Sequence, residues 1–458
     1  MVQMLSKILK DRRLRRRLLY TLLVVAVSTA IAQIPVYGIS STYMSAIFSK
    51  TSITGFMNTL SGGALGKMSM GGFGITSYIT ASIVIQLLTV IFPSLETLRK
   101  DGERGKKIFE KAEFWLSMII TLLGSIAVAV GFGKSGLFIH YSLLNVVAAV
   151  VQWMIGAYII IKLALGVEDH GIGNGPTLIL GFNILSGIPS SFTSFVEANI
   201  VPLKGVKQAG GIAILAVALL VVFILAVYLQ TGMDNIPLKV SGKKASVISA
   251  DGRVPVSVNV ANVLPVIYAS TLASLPYIIV TMLGVKQKGA VKTLVDMTTA
   301  SNWYAPTKWT HVAGLVIYLA LFVWFAYYSA DLAFSADEIA DTMRKNGDVI
   351  PGVEPGKATV KYLSKRKNVM TFINIIFLLL IVTLPDAICT WLKISSMSFV
   401  GTSLIIVISM IYDERLRLRA ALLPKSRKYA LFPAAKHGKK KGKKKKASSQ
   451  LNLKGAEK

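Results

Sequence analysis

Long apolar runs separated by short polar or basic connections dominate the chain. A helix needs roughly 17 to 25 such residues to cross the hydrocarbon core of a bilayer. Ten candidate runs fall at Leu18–Ile34, Ile75–Phe92, Phe114–Phe132, Leu143–Leu165, Pro176–Ile188, Gly211–Leu229, Val260–Leu283, Val312–Ala330, Val369–Leu384 and Val400–Ile411. They predict an all-α polytopic membrane protein with about ten transmembrane helices. The second, fifth and tenth runs are short or interrupted by glycine, which marks them as candidates for lining a central path.

Composition agrees. Of 458 residues, 53% are hydrophobic and only 16% charged. Lys and Arg number 51 against 22 acidic residues, a formal charge of +29 that would suit a nucleic-acid binder if it were spread over one face. It is not: the basic residues sit in blocks between apolar runs. Arg12, Arg13, Arg15, Arg16 and Arg17 precede the first run, and Arg99, Lys100, Arg104, Lys106 and Lys107 follow the second. Arg344, Lys345, Lys365, Arg366 and Lys367 lie between the eighth and ninth, and the tail carries the rest. With ten spans all four blocks share one side, opposite scattered lysines such as Lys50, Lys134, Lys204 and Lys286, so both termini are expected to be cytoplasmic.

The predicted organisation is a basic N-terminus (1–17), a first half (18–188), a second half (189–412) and a basic, largely disordered tail (413–458). Two long cytoplasmic loops, 230–258 and 331–368, turn at Asp251-Gly252 and at Pro351-Gly352 with Pro355-Gly356. Cys389 is the single cysteine, so no intramolecular disulfide is available. The first run ends in Pro35-Val36-Tyr37-Gly38 without a small-residue cleavage site and reads as a retained span.

No catalytic constellation is visible. His140, His170, His311 and His437 lack metal-ligand spacing, and Asp331, Asp386 and Glu197 fall near span ends instead of pairing inside the membrane as proton-coupled carriers require. No cofactor is implied. The unusual stretch is Leu60–Leu88. Gly62, Gly63, Gly66, Gly71, Gly72 and Gly74 crowd its first part, with Ser61, Lys67 and Ser69 among them. Each glycine costs a helix roughly 1 kcal/mol, and irregular backbone survives at membrane depth only when enclosed by protein or water. This predicts a short movable element inside the protein, followed by a span lining the same cavity. On that span Ile79 and Ile83 are one turn apart and share a face, and branched aliphatic side chains meeting in a ring seal a pore by excluding water.

The sequence LSGGALGKMSMGGFGITSYITASIVIQLL, followed by ETLRKDGERGKKI, resembles the plug and second span of the SecY family, the channel subunits of Sec protein translocases. HGIGNGPTLIL, VSVNVANVLPVIYAS, ADEIADTMRKNGDVIPGVEPGKATVKYL and FVGTSLIIVISMIYD resemble that family's fifth span, seventh span, large cytoplasmic loop and tenth span, in the family's order. The resemblance implies a clamshell of two pseudo-symmetric halves, spans one to five and six to ten, around an hourglass pore. By position it implies a constriction ring of Ile79, Ile83, Leu180, Ile267 and Ile406, with Pro176 where an aliphatic residue is usual. The plug would be Ser61, Gly62, Gly63, Ala64, Leu65, Gly66, Lys67, Met68, Ser69, Met70, Gly71, Gly72 and Phe73. Spans two and seven would form a lateral gate with Gln86 and Asn262 as polar members, and Arg344, Lys345, Glu354, Lys357 and Lys361 would lie on the partner-docking loop. Implied partners are SecE-like and SecG-like small subunits, a SecA-type motor ATPase or the ribosome, unfolded polypeptides bearing signal sequences, and anionic lipids, at a bacterial plasma membrane.

Departures accompany the resemblance. The loop before span seven reads TGMDNIPLKVSGKK, with Asp234 and Asn235 where basic residues are usual. The large loop's tip is PGVEPG, with Glu354 in place of arginine, and Ser77 stands where proline is common. An anion at a docking tip reverses what the tip attracts, which points to a divergent or accessory member with its own motor. Two other readings compete: a ten-span secondary transporter of a small solute, which should show a polar midplane cluster, and a membrane scaffold, which needs neither ring nor plug.

Overall fold

The computed structural model describes residues 11–40, 58, 60–99, 103–133, 136–199, 206–239, 253–282, 289–298, 303, 308–391 and 398–422. The lysine block of the tail, the Asp251-Gly252 turn, Lys100 and the lysines at 50, 134, 204 and 286 lie outside them.

The first half contains α1 (Arg12–Ile31), α2 (Gly74–Ile91), the short α3 (Pro93–Arg99), α4 (Glu103–Gly131), α5 (Leu143–His170) and α6 (Gly175–Asn199). Then come α7 (Val206–Thr231), strands β1 (Met233–Pro237) and β2 (Arg253–Ser257), α8 (Leu264–Met282), α9 (Ala290–Thr298), α10 (Trp309–Ala333), α11 (Ala336–Asn346), α12 (Lys357–Trp391) and α13 (Ser398–Leu422). The protein is thus an all-α polytopic membrane protein apart from one two-stranded ribbon. The helices α1, α2, α4, α5, α6, α7, α8, α10, α12 and α13 correspond in order to the expected spans. Four of them, α4, α5, α10 and α12, hold stretches that are long and apolar enough on their own to cross a membrane; α2, α6, α7 and α8 hold shorter apolar stretches.

Large exposed aliphatic and aromatic side chains stud the outward faces of the spans, among them Leu123, Leu144, Leu220, Phe223, Ile317 and Phe372. In water such faces would aggregate; in lipid they are the solvent-facing surface. Inside, one apolar cluster joins α1, α2, α5, α6, α7, α8, α10, α12 and α13, and a second gathers Val36, Leu65, Met68, Phe73, Val128, Leu137, Phe138 and Trp153. The two halves meet where α13 packs on α6 and α8 packs on α4.

The structure adds detail in four of the expected regions. The loop 230–258 contains an antiparallel ribbon, with Met233 opposite Ser257 and Pro237 opposite Arg253; a two-stranded ribbon tolerates Pro237 and Pro255 because each strand has a free edge. The loop 331–368 is mostly helical: α11 ends at Gly347 in the left-handed conformation (φ 75°), and α12 begins at Lys357, before its apolar run. The helix of the fifth run extends past Ile188, since α6 continues through Pro189 to Asn199, with the Thr193 hydroxyl donating to the Pro189 carbonyl at 3.1 Å. The basic segments at both ends are partly helical: α1 includes Arg12 to Arg17, and α13 carries on past the tenth apolar run to Leu422.

Candidate functional site

The expected ring residues come from four helices: Ile79 and Ile83 from α2, Leu180 from α6, Ile267 from α8 and Ile406 from α13. Ile83, Leu180, Ile267 and Ile406 are buried in one contiguous apolar cluster, and Ile79 packs against it. A cavity of about 480 Å³ opens onto this collar. Its floor is apolar, with Ile79, Pro176, Leu180, Leu264 and Ile267; its rim is charged, with Arg99, Lys106, Glu110, Glu113 and Glu168. Lys106 bridges Glu110 at 3.4 Å and makes a close contact with Glu168. Tyr78, Ser82, Gln86, Asn174, Thr177 and Tyr268 also line the cavity, and no group of His, Cys, Asp or Glu among the described residues could hold a metal.

The segment expected to act as a plug, residues 61–73, is built of turns until α2 begins at Gly74. The Ser61 hydroxyl accepts from the Leu65 amide at 3.1 Å and donates to the Asn58 carbonyl at 2.8 Å. Ala64, Leu65, Met68, Ser69 and Phe73 are buried. The glycines permit close approach: a Cβ on Gly62 (φ +69°) would lie 3.1 Å from the Asn183 side chain of α6, and one on Gly156 of α5 would lie 2.1 Å from the Met70 carbonyl oxygen. Met68, with no such freedom, adopts φ 49°, a conformation costing of order 1 kcal/mol that surrounding contacts must hold. Leu60, just ahead, packs in the collar's cluster, whereas Leu65, Met68 and Phe73 pack in the second one. Lys67 stays exposed and donates to the Gln33 side chain at 2.7 Å.

Between α2 and α8 the contact is polar. Gln86 donates through Nε2 to the Tyr268 hydroxyl at 2.6 Å and to the Ser82 hydroxyl at 3.2 Å. Ser82 in turn donates to Glu113 Oε1 at 3.1 Å, and Tyr78 donates to Glu113 Oε2 at 2.7 Å. The Tyr328 hydroxyl of α10 reaches the Gln86 backbone carbonyl at 3.2 Å. A continuous set of hydrogen bonds thus links α8 through α2 to a carboxyl group on α4, with Gln86 donating toward both sides. Gln86, expected on span two, bonds across to α8, while its partners Ser82 and Tyr268, and Tyr78 and Glu113 beyond them, were missed. The signal was present: Tyr78, Ser82 and Gln86 recur every four residues beside the Ile79–Ile83 stripe.

Asn262 is placed differently. It sits at φ 57°, just before α8, in the left-handed region that Asn tolerates better than most residues. Its Oδ1 accepts from the Val263 amide at 2.7 Å and from the Ser409 hydroxyl in a close contact, and its Nδ2 donates to Asp413 Oδ2 at 2.9 Å. It ties the start of α8 to α13. Beside it Glu414 faces Gly173, where a Cβ would come within 2.2 Å of the carboxylate. Burial pushes Glu414 up to about 7, against the pull of Arg417 and of the Asn174 amide.

Arg344 and Lys345 occupy the last turn of α11, Glu354 the following turn, and Lys357 and Lys361 the first turns of α12; all five are exposed. Ala336, Ala340 and Met343 seat α11 on Ile236, Val254 and Val256 of the ribbon. Asp234, the charge that departs from the family pattern, is met by Arg366 of α12 at 3.7 Å.

These features define a class: a multi-spanning helical membrane protein whose centre is an aliphatic collar, with a glycine-rich segment on one side and a charged funnel on the other. The SecY family model matches residues 69–414, and the chain belongs to that family. The protein translocase subunit SecY of Escherichia coli is 28% identical over 430 residues, covering 92% of this chain and 94% of that one. The SecY subunit of Staphylococcus aureus is 29% identical over 444 residues, covering 93% and 99%. Among solved structures, a protein-conducting channel matches with a TM-score of 0.62 at 20% identity, over 90% of this chain and 93% of that one. Sec61 of the canine ribosome–channel complex matches at 0.60 and 19%, with the same coverage.

Proposed function

We propose that this chain is the protein-conducting channel subunit of a translocase, exporting unfolded secretory proteins and releasing hydrophobic segments sideways into a bacterial plasma membrane, with both termini cytoplasmic. The observation that carries the reading is the meeting of Ile83, Leu180, Ile267 and Ile406 in one buried collar. A route for unfolded chains must pass every side chain yet leak no ions. It therefore needs a nonspecific greasy constriction and a displaceable stopper, and residues 61–73 supply the stopper. The α2–α8 contact through Gln86 and Tyr268 is the latch of the lateral gate. The carrier reading loses its support with the family assignment.

The channel itself does no chemistry, so energy comes from a motor ATPase of the SecA type or from a ribosome docked on the loop bearing Arg344, Lys345, Glu354, Lys357 and Lys361. SecE-like and SecG-like subunits complete the complex, and the lysine-rich tail is drawn to anionic lipid. The acids at Asp234 and Glu354 suit an accessory translocase with its own motor.

The deciding experiment places a photo-crosslinker at position 83 and arrests a secretory chain in transit. Capture of the arrested chain is expected. Flux of a small solute through liposomes holding this chain alone, with no capture, would overturn the reading.

A further inference from the structure

The glycine-rich segment does not pack as one piece. Leu60 is buried in the same apolar cluster as Ile83, Leu180, Ile267 and Ile406. Gly62, two residues on, lies against α6: a Cβ there would come within 3.1 Å of the Asn183 Cβ, and one on Gly187 within 4.0 Å of the Gly62 Cα. Leu180, Asn183 and Gly187 follow one another along one face of α6. Residues 60–62 therefore sit beside the collar, on a helix that contributes to it.

From Ala64 onward the surroundings change. Leu65, Met68 and Phe73 pack in the other cluster, with Val36, Leu137 and Trp153, and the Phe73 and Trp153 rings meet edge-on at 5.5 Å. Pro35 and Ser69 form an antiparallel bridge, in which the Val36 amide donates to the Met68 carbonyl at 3.1 Å and the Met70 amide to the Ile34 carbonyl at 2.9 Å. That pattern asks no N–H of position 35, which suits proline. A Cβ on Gly71 would lie 2.9 Å from the Ala32 Cα, and one on Gly74 would lie 3.0 Å from the Ile160 side chain. Ala64 is tied back as well, its carbonyl accepting from the Ser69 amide at 2.9 Å and from the Ser69 hydroxyl at 3.2 Å. Between the two parts stand Gly62 (φ +69°) and Gly63 (φ +82°), and a Cβ on Gly63 would meet nothing within 4 Å. The bonds across this joint run from the Leu65 amide to the Ser61 hydroxyl at 3.1 Å and from the Gly66 amide to the Asn58 side chain at 2.7 Å.

We propose that opening moves the tip alone: Leu60 is the side chain that stops the collar, it swings about Gly62–Gly63, and residues 64–73 stay seated against α4 and α5 while a chain passes. The inference rests on the channel reading and divides the segment assigned there to the stopper. Withdrawing the whole segment would pull Leu65, Met68 and Phe73 out of a packed cluster and break the bridge to residues 34–36. Withdrawing the tip frees one leucine and exchanges amide bonds at Ser61 and Asn58 for bonds to water, which costs far less.

The test uses the full chain in inverted membrane vesicles with Cys389→Ser, which removes the single native thiol. Pro35→Cys with Ser69→Cys joins a bridge pair of the kind whose Cα atoms lie about 4.5 Å apart, within reach of a disulfide. Gly62→Cys with Asn183→Cys joins the tip to α6. Oxidation of the first pair should leave export of a secretory reporter unchanged. Oxidation of the second should abolish it, and reductant should restore it. Single thiols give a second measurement that leaves Gly62 intact: with a secretory chain arrested in transit, maleimide labelling should rise for Leu60→Cys and stay low for Ser69→Cys. Export blocked by the first disulfide, or labelling that rises equally at positions 60 and 69, would mean that the segment leaves whole and would overturn the division. Export that continues with the second disulfide fully formed, or a thiol at position 60 that stays protected, would overturn the role of Leu60. A Cys389→Ser parent that exports nothing and captures no arrested chain at position 83 would overturn the channel reading, and the division with it.

Discussion

The sharpest consequence of the gate geometry concerns Tyr268→Phe. The ring of Tyr268 is buried, 4% exposed, and packs edge-on against Phe325 with centroids 5.6 Å apart. Phenylalanine keeps that packing and deletes only the oxygen that accepts from Gln86 at 2.6 Å. Nε2 of Gln86 then retains Ser82 alone, and a buried donor without its partner costs about 1–1.5 kcal/mol. The cost falls on the closed state, since opening parts α2 from α8 and leaves the amide to water in either variant. The closed-to-open ratio should therefore drop about tenfold. The assay is export of a reporter whose signal sequence has a shortened apolar core, expressed relative to the same reporter with an intact signal. Tyr268→Phe should raise that ratio markedly. Gln86→Leu should raise it as well, and the double variant should do no more than the stronger single, because both remove one bond. A ratio unchanged in Tyr268→Phe, or effects that multiply in the double, would refute the latch.

Three further outcomes follow from the same packing. Ile83→Ser or Ile406→Ser places a hydroxyl in a collar where each isoleucine is 3% exposed; planar-bilayer recordings of the resting channel should show added ion leak, the loss of up to about 3 kcal/mol of apolar burial making the constriction wettable. Gly156→Ala drives a methyl onto the Met70 carbonyl, so the glycine-rich segment should lose its seat; protease or thiol labelling of residues 61–73 should rise, and unchanged protection would count against the packing described. Glu414, raised to about 7 from an ordinary 4.5, contributes stability that is full below about pH 4.5 and lost as pH rises through 7; melting in detergent should fall across that window, and Glu414→Gln should flatten the fall.

The spans were legible because a bilayer imposes a length on every apolar run, and the glycine-rich segment because nothing else excuses so many glycines at that depth. What the hydropathy could not reveal are helices that begin outside lipid. The apolar run of the third span starts at Phe114, which leaves Glu113 looking like an end residue, but α4 starts at Glu103, so Glu113 lies well inside the helix and accepts from Tyr78 and Ser82 of α2. The ninth run starts at Val369 although α12 starts at Lys357, because an amphipathic charged turn is invisible to an apolar window. The β1–β2 ribbon owes its existence to pairing between distant segments and to the seat that α11 makes on it. Asn262 shows the limit of position alone: its polarity was evident, but only the fold reveals that its partners are Ser409 and Asp413 on α13.

At 35 residues, α12 is about 52 Å long, much more than the roughly 30 Å of hydrocarbon it crosses. Its first interior proline is Pro385, near the far end, so a stiff rod carries the tip at Lys357 down to Leu378 and Ile381 in the apolar centre of the protein. A motor or ribosome nudging that tip would act on a lever, and displacement at the surface would arrive at mid-membrane as rotation of the packed side chains, with no soft joint along the way to absorb it.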